Sequence, residues 1–128
     1  MSISWARSGG ITYFTVPERL VLQSTGELVG EPVHRARTFV ERARGLLASA
    51  PGRVLVLERA RQVHTFGMRY ELDVIFCDAS WNVLHVVRDM KPGRVTRWVR
   101  RARVAIELPS RARLVDVTPG DALRLETY

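Results

Sequence analysis

Residues 62–77, Q-V-H-T-F-G-M-R-Y-E-L-D-V-I-F-C, constrain this chain more than any other stretch. The second half, 72–77, is a short apolar run of the kind that forms a strand. An aspartate stands inside it. By the two-residue repeat of a strand, Leu72, Val74 and Phe76 share one face, which leaves Asp73 with Ile75 and Cys77 on the other. The first half is a loop carrying His64, Gly67 and Met68. A loop with chemistry on it, running straight into a strand with a carboxylate in it, marks a sheet-based fold and a candidate site together.

The rest of the chain is punctuated in the same way. Residues 1–10 read as a frayed lead-in ending in Gly9 and Gly10. Residues 11–16 are β-branched and aromatic and predict a strand, which Pro17 stops or confines to an edge. Gly26, Gly30 and Pro32 predict a turn and a short strand over 21–33. Thr38 and Glu41 have capping-box spacing, and Phe39, Ala43, Leu46 and Leu47 follow at helical spacing, predicting one short helix closed by Pro51 and Gly52. Residues 54–57 are continuously apolar, as in a strand covered on both faces. A turn at 78–82 returns 82–87 as a hairpin partner of 72–77. Lys91-Pro92-Gly93 is a turn, and 95–101 matches no single repeat. Val104, Ile106 and Leu108 alternate with Ala105 and Glu107 up to Pro109, which predicts another strand. A single helical turn in 110–116, a turn at 118–121 and a strand over 123–126 complete the reading. The expected fold class is α+β, mainly β: a curled, mostly antiparallel, barrel-like sheet with one short helix covering it.

At 128 residues the chain is expected to be a single domain with a core of its own. Cys77 is the sole cysteine, so no disulfide forms within the chain, and mid-strand it reads as a small hydrophobe. No apolar run has the length of a membrane helix, and the first ten residues lack a signal-peptide pattern, so a cytoplasmic protein without a membrane partner is expected. The net charge of +7 is unevenly placed: residues 94–113 hold seven arginines against one acid, Glu107.

Six pieces occur in a recognisable order: Ala43-Arg-Gly-Leu-Leu47, Val63-His-Thr-Phe-Gly-Met68, Leu72-Asp-Val-Ile-Phe76, Lys91-Pro-Gly-Arg94, Ile106-Glu-Leu-Pro109 and Gly120-Asp-Ala-Leu123. Together they resemble the domain-of-unknown-function 192 family, over about residues 33–126, with 1–32 outside. The family usually has Gly after the Leu-Pro pair, where Ser110 stands here. The resemblance implies a compact single domain with a β-rich core. It implies no reaction, because the family has no settled activity.

Three functional readings remain open. In the first, a non-enzymatic binding or accessory module uses a groove formed by His64, Thr65, Met68 and Asp73, floored by Glu107 and rimmed by Arg94, for a small molecule or protein. Phe66, Met68 and Tyr70 alternate as an apolar lip. In the second, His64, Asp73 and Glu107 form an enzyme site, since paired carboxylates suit acid–base work and histidine titrates near neutrality. In the third, Arg97, Trp98, Arg100, Arg101 and Arg103 hold nucleic acid through phosphate contacts and stacking. No cofactor or metal is expected: His34 and His85 lie apart from His64, and no H-x-x-x-H or C-x-x-C spacing occurs. Asp73 is also expected to have a structural role, accepting from amides of the 66–71 loop with Arg69 or Arg94 as counter-charge.

Overall fold

Every residue of Leu72–Cys77 is buried, as is every residue of Val104–Pro109, and the two runs lie side by side within a five-stranded sheet. Strands covered on both faces are apolar at consecutive positions, which is why these runs and Val54–Glu58 are nearly continuous. The computed structural model describes residues 4–8, 11–15, 17–36 and 54–128. In chain order the strands are β1 (Ser4–Ser8), β2 (Ile11–Thr15), β3 (Glu18–Leu22), β4 (Leu28–Gly30), β5 (Val33–Ala36), β6 (Val54–Glu58), β7 (Leu72–Cys77), β8 (Val83–Met90), β9 (Val104–Pro109) and β10 (Leu123–Thr127).

β1 and β2 pair as an antiparallel hairpin, so the expected lead-in contains a strand. The order β10-β3-β4 forms a three-stranded sheet, and β5-β6-β9-β7-β8 the larger one. Among the described residues all the pairings are antiparallel except β5 with β6. Parallel neighbours require a crossover of a dozen or more residues, and 37–53 supply that length.

The large sheet has a core on each face. On one, Val54, Val56, Ile75, Cys77, Ile106 and Leu108 pack with Leu20, Leu22, Val29 and Leu123 of the small sheet. On the other, Leu55, Leu57, Leu72, Val74, Phe76 and Ala105 pack with Val63, Met68, Met90, Val99 and Ala102. The second face is therefore roofed by the segments before β7 and before β9, and these carry the arginines.

The expected barrel-like closure is corrected: β5 and β8 are the two ends of an open sheet, and the small sheet faces it as a separate layer. Alternation sets which side of a strand is apolar but says nothing of whether the outer strands meet. The helix expected from Thr38 lies outside the described residues. Among the described residues the only helical element is a 3-10 turn at Ser110–Ala112, so no covering helix is found there.

Candidate functional site

Residues 61–65 run antiparallel to 94–99 as a two-stranded ribbon on the second face. The amides of Thr65, Thr96 and Val99 donate to the carbonyls of Arg94, Val63 and Arg61 at 2.8, 2.9 and 2.8 Å, and His64 lies opposite Val95. Two buried threonines pin the ribbon. Thr65 Oγ1 donates to the Lys91 carbonyl at 2.7 Å and accepts the Arg94 amide at 2.9 Å. Thr96 Oγ1 accepts the Val63 amide at 3.0 Å and donates to the Arg97 carbonyl at 3.0 Å. Gly93 closes the turn at φ +76°, where a side chain would be strained, and its amide donates to the Thr65 carbonyl at 3.0 Å.

Val63, Thr65, Met68, Thr96, Val99 and Ala102 point into the protein. The opposite side is open: Phe66 is 57%, Val95 52% and Trp98 58% exposed. Phe66 stacks on His64 with ring centroids 4.9 Å apart. Arg94, Arg97, Arg100, Arg101 and Arg103 are all exposed. Residues 59–70 and 91–103 hold nine basic residues and no acidic one. Beside the ribbon lies an open hollow of about 460 Å³ lined by Arg61, Asp78, Ala79, Arg100, Arg101 and Arg103. A second, of about 310 Å³, is lined by Leu84, Arg97, Val99, Arg100 and Arg101. The carboxylate nearby, Asp78, is engaged in its own turn. The Asn82 amide above all, then the Asn82 side chain and Ser80 amide, hold its pKa below the ordinary range against desolvation, with Arg101 adding charge. Among the described residues none of Arg94, Arg97, Arg100, Arg101 and Arg103 forms an ion pair, whereas Arg19, Arg35, Arg113 and Arg124 each do. His85 is half-buried, and burial foremost, then the charge of Arg97, lowers its pKa, so it adds little positive charge at neutral pH.

The structure brings His64, Thr65 and Arg94 together on this ribbon but does not add the expected carboxylates to them. Glu107 lies opposite Leu55 and Val74 and is fully buried on the second face. Asp73 lies opposite Leu108 on the first face. The two are on opposite sides of one sheet, so neither a shared groove nor an acid–base pair is assembled from them. Nor is Met68 a lip residue: it belongs to the core. Asp73 accepts Arg113 through Nε–Oδ2 and Nη2–Oδ1 contacts of 2.6 and 2.8 Å, the Ser110 hydroxyl at 2.8 Å and the Asp89 amide at 3.0 Å. The counter-charge is thus Arg113 rather than Arg69 or Arg94, and the amide comes from β8 rather than the 66–71 loop. Between Leu72↔Met90 and Val74↔Val87 the β7–β8 register shifts, and Asp89, at φ +53°, turns its amide toward Asp73. Burial alone raises the Asp73 pKa, but Arg113, the Asp89 amide and Ser110 outweigh it, so the carboxyl lies below its ordinary value. The adjoining cleft has a cavity volume of about 10 Å³, room for roughly one water. These contacts clasp the carboxylate on three sides.

Cys77 is fully buried in β7, and burial first, with Asp78 adding charge, pushes its thiol up to about 12. Thiolate is the reactive species, so a thiol reagent is expected to label the native protein at least about a hundredfold more slowly than the urea-unfolded chain at pH 8. Comparable rates in a stopped-time labelling series read by mass spectrometry would show that β7 is accessible.

The model of the DUF192 family, described as uncharacterised ACR, matches residues 20–125, taking in β3 and β4 as well as the motif-bearing core. Two crystal structures share the fold. A protein of unknown function from Novosphingobium aromaticivorans is 18% identical, with a TM-score of 0.68 over 97% of this chain and 93% of that one. A putative transcription regulator from Sinorhizobium meliloti is 20% identical, with a TM-score of 0.64 over 85% of this chain and 92% of that one. No curated protein is significantly similar to the chain.

Proposed function

We propose that this chain, which belongs to the DUF192 family of uncharacterised proteins, is a non-enzymatic binding module whose ligand is a polyanion held on the 61–66 and 94–103 ribbon. One observation carries the reading: five exposed arginines, Arg94, Arg97, Arg100, Arg101 and Arg103, stand on one ten-residue stretch and form no ion pair among the described residues. Each guanidinium keeps its charge and its fork of donors for an external phosphate or sulfate, and the bond it makes there is charge-assisted. The threonine hydrogen bonds hold the backbone at Arg94 and Arg97, so little order has to be gained there on binding.

The test is binding of inorganic polyphosphate to the wild type and to the Arg97→Ser/Arg100→Ser/Arg101→Ser variant at low salt. These side chains are exposed, so circular dichroism should be unchanged, while affinity falls by about tenfold or more. A variant that binds as tightly as the wild type, or a wild type that does not bind, removes the reading.

A further inference from the structure

We infer that the polyanion is a single strand of nucleic acid, a step that rests on the reading above and names its ligand class. Among the described residues the exposed large hydrophobic side chains are Phe66, Val95, Trp98 and Leu114, the last 61% exposed, and the first three stand on or beside the ribbon among its arginines. A ligand of charge alone gives these side chains nothing to contact. Unstacked bases do: each has a π-face that packs on an exposed aromatic ring, while the phosphates on either side meet guanidinium groups. The His64–Phe66 stack holds the Phe66 ring in place as a platform.

The spacing agrees. His64 lies opposite Val95 and the Val99 amide donates to the Arg61 carbonyl, so Trp98 stands by the Arg61 end of the ribbon and Phe66 beyond its other end. The two rings are thus set apart along the ribbon, a track for several bases rather than a pocket for one. Arg94 and Arg97 lie between the two rings along that track, and Arg100, Arg101 and Arg103 continue it into the 460 Å³ hollow. A duplex keeps its π-faces stacked inside and offers aromatic rings no such partner. The amide best placed to read a base edge, that of Gln62, instead donates to the Thr96 carbonyl at 3.0 Å. The inferred binding is therefore sequence-tolerant, built from stacking and phosphate contacts.

The experiment compares three probes on the intact chain: a fluorescein-labelled oligodeoxythymidine of fifteen nucleotides, inorganic polyphosphate, and vesicles rich in phosphatidylserine. The oligonucleotide should bind with quenching of tryptophan emission. Trp98→Leu should abolish that quenching and weaken oligonucleotide binding by about 5- to 150-fold. Phe66→Leu should act in the same direction, and neither variant should change polyphosphate affinity. With five phosphate contacts and a slope of about −0.7 per contact, affinity for the oligonucleotide should fall roughly a hundredfold between 50 and 200 mM salt. Unchanged oligonucleotide affinity in both variants, with polyphosphate still bound, overturns the nucleic-acid inference and leaves the polyanion reading standing. Vesicles bound in preference to the oligonucleotide overturn it in favour of a membrane surface. Failure of all three probes to bind overturns both.

Discussion

Asp73→Ala should lower the unfolding free energy by about 2–4 kcal/mol, seen as a lower urea midpoint at unchanged slope. The carboxylate is almost fully buried and joins three segments: the bulged end of β8 through the Asp89 amide, the 3-10 turn through Ser110, and the following chain through Arg113. Arg113 also bonds Asp89 Oδ1 at 2.7 Å, so its removal from Asp73 does not leave it alone. That second contact, and its partial access to water, keep the loss below what a fully enclosed pair would show. The pH dependence follows from the direction of the pKa shift. Folded Asp73 binds a proton less readily than the unfolded chain, whose aspartates titrate near about 3.9. Its contribution is therefore complete above that value and is lost as the pH falls through the depressed folded value. The difference between wild type and Asp73→Ala should be constant from pH 5 to 8 and shrink only in strongly acidic solution. A midpoint that stays put or rises would mean that the site trades stability for some activity.

Replacing both ribbon threonines should have the next largest effect. Thr65→Val and Thr96→Val keep the shape of each side chain and remove its hydroxyl, leaving the Arg94 and Val63 amides and the Lys91 and Arg97 carbonyls without that partner. Each change should cost about 1–3 kcal/mol. The pair should cost less than the sum, because both pins serve one ladder. Native-state hydrogen exchange should show the loss concentrated at the amides of Val63, Thr65 and Thr96, with β7 and β9 still protected. Uniform acceleration across the large sheet instead would mean that the ribbon is integral to the core and does not open as a unit.

Much of the strand pattern was legible because it is local. The apolar runs at 54–57 and 72–77 and the alternation at 104–108 each identify a strand, and β6, β7 and β9 follow within a residue. β3 was not, since its five residues sit between Pro17 and the turn at Gly26 and gain their burial from β10, about a hundred positions away. Facing was half legible. Asp73 is opposite in phase to Leu72 and Val74, as alternation requires, but the register Val74↔Glu107 belongs to a pair of strands, and a slip of one residue would have put both carboxylates on one face. Arg113 stood in the basic run without any local sign that it serves Asp73, and Ser110, where the family usually has Gly, becomes a donor to it. The ribbon escaped periodic reading for a definite reason. Its inward residues are Thr96 and Val99, followed by Ala102, a spacing of three that breaks the alternation of a strand. In sequence the exposed side chains between them show only as a run of charge.

The pairing of Leu123–Thr127 with Glu18–Leu22 has a consequence for synthesis on the ribosome. β3 is the middle strand of its sheet, and Leu20 and Leu22 belong to the core that covers Ile75, Ile106 and Leu108. Until residues 123–127 leave the exit tunnel, β3 lacks one neighbour, and the first face of the large sheet lacks Leu123. A nascent chain halted before that point presents apolar β-strands with open hydrogen-bonding edges. Pairings so distant in sequence form slowly, so the last strand to emerge is the one that closes the small sheet and covers the first face.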